Sequence, residues 1–236
     1  MAYLVMKTSM PQDAYIVQQP ALPAAQLVLL FADAGADPQT MRAAGEQLAD
    51  VFPLAMVVSV AAPLCADEGP GFQWYSEQGI TDEIRVERVT AALPAFAACV
   101  THWQQAAGVQ ATATALIGFA QGAVMALEAT HQGTPIASRV FAIGGRFASL
   151  PASAAHDTMV HFLHGKADSV TPYGHAVTAA HHLRDLGGDI TAEVMPFIGH
   201  EMHPDFLEQV IHKLTSHVPQ HLWAEALTQG SIPPVT

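Results

Sequence analysis

The sequence predicts an α/β protein with a mainly parallel central sheet and helices on both of its faces. Apolar runs of strand length alternate with segments of helical period, and most of these runs are rich in Val, Ile and Leu, as buried parallel strands are. A length of 236 residues most often means one domain, so we expect a single domain over 1–236 with peripheral tails at 1–13 and 226–236. About seven strands are expected, the first being the weakest: Ala14–Gln18, Gln26–Phe31, Ala55–Val60, Thr112–Ile117, Arg139–Ile143, Met159–Leu163 and Ile190–Met195.

The longest predicted helix covers Thr81–Ala107. Its apolar residues recur every three to five positions, which keeps them on one face, and Asp82 and Glu83 stand in the first turn, where the helix dipole favours anions. Pro94 predicts a kink or a split into two helices. The other expected helices are Pro38–Val51, Gln121–His131, Tyr173–Leu186 with Gly187 and Gly188 as its stop, and Pro204–His217.

Composition excludes several classes of protein. Half of the residues are hydrophobic and 13% are charged, which is not the composition of a disordered chain. Subtracting 21 Asp and Glu from 9 Lys and Arg gives a net charge of −12, so a nucleic acid or an anionic membrane surface is a poor partner.

Three features of the sequence bear on the cellular location of the protein. The segment Met1–Met10 lacks the apolar core of a signal peptide, and the apolar stretch Leu54–Ala66 is too short to span a membrane. Cys65 and Cys99 fit neither a zinc motif nor a disulfide framework. We therefore expect a cytoplasmic protein with no membrane span, and its oligomeric state stays open.

The segment around residue 120 carries the strongest chemical signal. The strand Thr112–Ile117 leads into a tight turn that is followed at once by a helix, the context of a nucleophile elbow. Gly118 and Gly122 stand two residues before and two after Ala120, the spacing that lets strand and helix approach closely. Position 120 therefore matches a nucleophile position, but an alanine methyl group cannot attack a carbonyl.

Two further residues follow in the order of a hydrolase triad. Asp168 lies in a loop after the strand Met159–Leu163, and His200 lies in a loop after Ile190–Met195. The order 120, 168, 200 is nucleophile, acid, histidine, as in α/β-hydrolases.

With these motifs, the chain resembles an α/β-hydrolase of the bacterial carboxylesterase and phospholipase type over roughly residues 14 to 225. The segments Gln73–Ile80 and Ala115–Phe119 belong to the same resemblance. It implies a Ser-His-Asp hydrolase that acts on small carboxylic ester or thioester acyl groups, with no metal and no organic cofactor.

The resemblance also implies a role for each site residue. Asp168 would orient His200, and His200 would be the general base for a serine at position 120, where this chain has Ala120. The oxyanion hole would consist of the backbone N–H groups of Gln121 and Ala34.

The chain departs from the family pattern a second time in the turn after Gln26–Phe31. Ala32 and Asp33 stand where the family usually has His-Gly, and an inward carboxylate at Asp33 would oppose a developing oxyanion. We expect Asp33 at the substrate site, together with Trp74 and Tyr75 as pocket wall.

A metal site is not predicted. His200 and His203 flank Glu201, but His-Glu-x-His lacks the i, i+4 spacing that puts two ligands on one helix face.

Three functions remain open at this stage. The first is an esterase whose nucleophile was replaced by alanine in the laboratory. The second is a natural pseudoenzyme that binds a ligand or regulates. The third is a divergent hydrolase in which His200 activates water with help from Asp33. Loss of a nucleophile lowers kcat about 10⁶-fold in a serine protease, so a normal esterase rate is not expected with Ala120.

Overall fold

A computed structural model describes residues 14–155 and 157–216, and the predicted tails at 1–13 and 226–236 lie outside this part of the chain. Seven strands form one sheet in the order β1-β3-β2-β6-β7-β8-β9, and β4 and β5 form a separate small hairpin. Only β1 runs antiparallel in the large sheet. The strands are β1 Ala14–Gln18, β2 Gln26–Phe31, β3 Ala55–Val60, β4 Leu64–Cys65, β5 Phe72–Gln73, β6 Thr114–Phe119, β7 Arg139–Ile143, β8 Met159–Gly165 and β9 Ile190–Met195.

Five α-helices cover the two faces of this sheet in the described part of the chain. Buried residues of α1 and α5 pack on one face, and buried residues of α2, α3 and α4 pack on the other. The helices are α1 Arg42–Val51, α2 Asp82–Ala107, α3 Gln121–Ala129, α4 Gly174–Asp185 and α5 Pro204–Ser216. The predicted fold class is therefore confirmed.

Element ends are set by capping and by the sheet. Thr81 caps α2 by accepting a hydrogen bond from the N–H of Ile84, and Gly108 ends it in the left-handed conformation. Asp37 accepts from the N–H of Gln39, and the first turn of the predicted helix Pro38–Val51 is a 3₁₀ turn, so α1 begins only at Arg42.

Two predicted strands are displaced or longer in the structure. The predicted strand 112–117 is shifted to 114–119, because Gly118 and Phe119 pair with Ala142 and Ile143 of β7. The strand β8 continues to Gly165, which pairs with Met195 of β9. Both extensions carry the chain further toward the edge where the predicted site residues lie.

The helix α2 is continuous through Pro94, so of the two predicted outcomes, a kink or a split, the split is wrong. Proline removes one N–H from the helix, but Leu93 and Phe96 on either side are buried in the core. Burial of this apolar face holds the helix together across the missing hydrogen bond. In the described residues, none of the helices is long and apolar enough to cross a membrane.

Candidate active site

The predicted site residues follow the carboxyl ends of four strands. Asp33 and Ala34 follow β2, Ala120 follows β6, Asp168 follows β8 and His200 follows β9. Carboxyl ends of parallel strands meet at one edge of the sheet, which is where ligand sites form in such folds. Asp33, Ala120 and His200 line one cavity of about 110 Å³ at this edge.

Ala120 occupies a strained turn between β6 and α3. Its φ of 48° and ψ of −110° lie in a region that non-glycine residues rarely adopt. A Cβ at Gly118 would lie 2.5 Å from the nitrogen of Ala123, and one at Gly122 would lie 2.3 Å from the carbonyl oxygen of Phe31. Only glycine permits this approach of strand and helix, and the strained turn between them has the backbone features predicted for a nucleophile elbow.

Asp168 and His200 are in direct contact. The Nδ1–H of His200 donates a 2.8 Å hydrogen bond to Oδ2 of Asp168, and both side chains are largely buried. The other carboxylate oxygen, Oδ1, accepts hydrogen bonds from the N–H groups of Val170 and Thr171 at 2.9 and 2.8 Å. These bonds fix the carboxylate, which in turn fixes the imidazole.

Sequence reasoning did not single out His164, the second histidine at Asp168. Its Nε2 lies 3.3 Å from Oδ2 of Asp168 and donates a hydrogen bond to the carbonyl of Thr171 at 2.7 Å. Burial is the largest cause that lowers the pKa of His164, against the opposing effects of Thr171 and Asp168, and so favours the neutral imidazole.

A second carboxylate faces the other nitrogen of His200. Oδ2 of Asp33 lies 3.7 Å from Nε2 of His200, the atom that would take the proton of a nucleophile. Asp33 is the largest cause that raises the pKa of His200 to about 9; burial opposes the rise, and Asp168 adds to it. The imidazole is therefore protonated at neutral pH.

The side chain of Asp33 also contacts the two backbone N–H groups that are predicted to form the oxyanion hole. Its Oδ1 accepts hydrogen bonds from the backbone N–H of Ala34 at 2.7 Å and of Gln121 at 3.2 Å. The sequence could not give the direction of this side chain, and the structure shows that it points inward. A carboxylate oxygen thus accepts hydrogen bonds from the two N–H groups that the resemblance predicts as donors to a substrate oxyanion.

The side chain of Gln121 ties the loop before α2 to the elbow. Its Oε1 accepts from the N–H of Trp74 at 2.6 Å, and its Nε2 donates to the carbonyl of Tyr75 at 3.0 Å and to Glu77 at 3.4 Å. These contacts join residues more than 40 positions apart in the sequence, so no local motif predicts them.

Trp74 and Tyr75 do not form pocket wall as predicted. Each is 3% exposed, and Trp74 packs edge-on against Phe31 and Phe96 in the core. Neither residue lines the cavity at Ala120. Trp74 is buried because its aromatic partners Phe31 and Phe96 come from distant elements, which the sequence of the loop does not indicate.

The cavity at Ala120 has four charged or titratable lining residues that sequence analysis missed. Glu77, Arg85, Arg146 and His175 all line it. Of these, Arg146 could have been predicted at the site, because it follows the end of β7 by three residues. Within the described residues, no group of three or more His, Cys, Asp or Glu side chains is arranged to hold a metal ion.

The sheet order, the strand-to-helix elbow and the strand-end loops define an α/β-hydrolase fold. The phospholipase/carboxylesterase family matches residues 12–218 of this chain. Esterase YpfH of Escherichia coli strain K12 is 42% identical over 221 residues, which is 94% of this chain and 95% of the relative. The chain belongs to the phospholipase/carboxylesterase family.

Solved structures agree with this fold. The crystal structure of esterase PE8 has a TM-score of 0.78 at 27% identity and covers 87% of this chain and 99% of its own. A carboxylesterase from Mesorhizobium loti has a TM-score of 0.70 at 16% identity, with 87% of this chain and 100% of its own chain covered, which supports the fold alone.

Proposed function

We propose that this chain is a non-hydrolysing member of the carboxylesterase family that retains the pocket of the family as a binding site for a small acyl ligand. The observation that carries the proposal is the position of Asp33, whose carboxylate accepts from both predicted oxyanion donors and faces His200. The absent serine hydroxyl at Ala120 is then one of two separate obstacles to ester hydrolysis.

Each obstacle acts on a different part of the reaction. Ala120 removes the nucleophile, so no acyl-enzyme can form. Asp33 opposes the second requirement, because a negative charge at the donors repels a developing oxyanion in a partly buried site. A scaffold disabled by one replacement alone would have kept an open oxyanion hole.

The alternative in which His200 activates water is disfavoured by the same geometry. A general base must be deprotonated at the working pH, and its pKa should lie near that pH. Asp33 raises the pKa of His200 to about 9, so the imidazole holds its proton at pH 7 and cannot accept another. The pocket is therefore better suited to holding a ligand than to activating water.

The proposal is tested with the unaltered chain. We expect no release of p-nitrophenol above buffer from short p-nitrophenyl esters, and no mass increase after treatment with a fluorophosphonate that labels activated serines. A covalent acyl or phosphonyl adduct would contradict the proposal. Turnover that disappears in His200→Ala would contradict it as well and would favour the water mechanism.

A further inference from the structure

The cavity at Ala120 shares Arg146, Pro172 and His175 with a wider cavity of about 380 Å³. We treat the two cavities as the narrow and the wider part of one groove. Phe147 and Ala148 contribute apolar surface to the wider part. A short aliphatic ligand can therefore extend from the His200 end into the wider part.

The charge of the groove differs from that of the whole protein. The chain has a net charge of −12 and only 9 Lys and Arg residues, yet Arg85 and Arg146 both line the narrow part. The lining residues of the wider part include Arg146 and no carboxylate. A further cavity that also has Glu77 in its wall has the opposite character: among the described residues it is lined by Asp67, Glu68 and Glu77 and by no basic residue.

The carboxylates of the narrow part already have partners. Asp33 accepts from two backbone N–H groups and faces His200, and Glu77 accepts from Gln121. The positive charges of Arg85 and Arg146 are close enough to His175 that both lower the pKa of that imidazole, after burial as the largest cause. The two guanidinium groups therefore act on the same region of the groove.

Neither guanidinium group is paired with a buried carboxylate in the described residues. Arg85 lines the narrow part and forms no ion pair there; its Nε is buried without an acceptor, and its side chain interacts with Tyr75. Arg146 is oriented by the carbonyl of Phe147 at 3.2 Å and by Asp82 at 2.9 Å, and Asp82 is 72% exposed. An ion pair to such an exposed carboxylate is weak, so a ligand anion can compete for this guanidinium.

We propose that the groove binds a small aliphatic ligand with an anionic carboxylate end, and that Arg85 and Arg146 hold this end. Arginine presents paired N–H donors that match the two oxygens of a carboxylate. This inference rests on the proposed function, since it names the ligand class of the retained pocket.

The test uses three ligands of one carbon skeleton that differ in charge: glutarate, monomethyl glutarate and dimethyl glutarate. Binding to the unaltered chain is measured by calorimetry and by chemical shift changes. We expect both acids to bind and the neutral diester to bind at least about tenfold more weakly. Equal binding of the diester, or no binding of either acid at millimolar concentration, would overturn the inference.

Variants locate the binding group. We expect Arg85→Gln and Arg146→Gln each to weaken binding of monomethyl glutarate about tenfold. Arg184→Gln removes the same charge from an exposed position of α4 and should leave binding unchanged. Wild-type affinity in both groove variants would overturn the inference, and matching unfolding midpoints show that the variants fold.

The same samples separate this inference from the proposed function. Release of methanol from monomethyl glutarate by the unaltered chain would contradict the absence of hydrolysis. Binding that depends on Arg85 and Arg146 would still support the ligand class in that case. Loss of charge dependence without methanol release would contradict only the ligand class.

Discussion

Oδ2 of Asp33 lies 3.7 Å from Nε2 of His200, while Asp168 binds the opposite nitrogen of the same ring at 2.8 Å. The imidazole is therefore placed between two carboxylates. In a serine hydrolase the Nε2 atom faces the nucleophile and takes its proton. Here it faces a fixed negative charge, which favours the protonated ring.

The pH behaviour of His200 follows from this arrangement. Asp33 raises the pKa of His200 from its ordinary value of 6.5 to about 9, and replacement of Asp33 by Asn removes the largest cause. We expect the pKa of His200 to fall in Asp33→Asn, as measured by nuclear magnetic resonance of the imidazole protons. An unchanged titration midpoint would show that Asp33 does not interact with His200 in solution.

The same shift predicts how stability depends on pH. A pKa raised by folding stabilises the native state fully below the unfolded value, and this contribution is lost as pH rises through the folded value. The free energy of unfolding of the wild type should therefore decrease relative to Asp33→Asn between pH 6.5 and about 9. A constant difference across this range, measured by urea unfolding, would contradict the linkage.

Backbone strain at Ala120 predicts that glycine at this position costs little stability. A sparsely populated conformation costs about 1–3 kcal/mol, and glycine adopts the φ of 48° at Ala120 freely. We expect Ala120→Gly to change the free energy of unfolding by less than about 1 kcal/mol, since relief of strain offsets the added chain entropy. Ala123→Gly, in the buried interior of α3, should cost more than about 1 kcal/mol. Equal losses in the two variants would contradict strain at the turn.

Close packing at Gly122 predicts that this position does not tolerate alanine. A Cβ there would lie 2.3 Å from the carbonyl oxygen of Phe31, so Gly122→Ala must displace β2 from α3. We expect a loss of about 1–3 kcal/mol in urea unfolding. Gly174→Ala is the matched control, because a Cβ at Gly174 would meet no atom within 4 Å, and it should be neutral or slightly stabilising. A neutral Gly122→Ala would show that strand and helix are not in contact as described.

The parts of the site that the sequence predicted depend on chain order. Ala120, Asp168 and His200 each follow a recognisable strand, and parallel strands deliver their carboxyl ends to one edge, so the gathering of these residues could be anticipated. The direction of Asp33 could not, because its partner Gln121 is 88 residues away in sequence. The local turn residues give no information on such a contact.

Errors of prediction have the same origin. The sequence predicts Trp74 at the pocket because it lies in a loop after a strand, but its surroundings are set by Phe31 and Phe96, which come from β2 and α2. Arg85 lies on α2, and its role as a groove residue appears only when α2 is packed beside the elbow. Periodicity predicts which face of a helix is apolar, but not which polar residue at its margin borders a cavity.

The most direct test of the two-obstacle account compares Ala120→Ser with Ala120→Ser/Asp33→Ala on p-nitrophenyl butyrate at pH 7. We expect Ala120→Ser to remain close to buffer, and the double variant to be at least about a hundredfold faster, since it frees the oxyanion donors and lowers the pKa of His200. Ala120→Ser/Asp33→Asn keeps an oxygen at the donors without the charge and should lie between the two. If Ala120→Ser alone is as fast as Ala120→Ser/Asp33→Ala, Asp33 is no obstacle and the chain is an ordinary esterase that lacks only its serine.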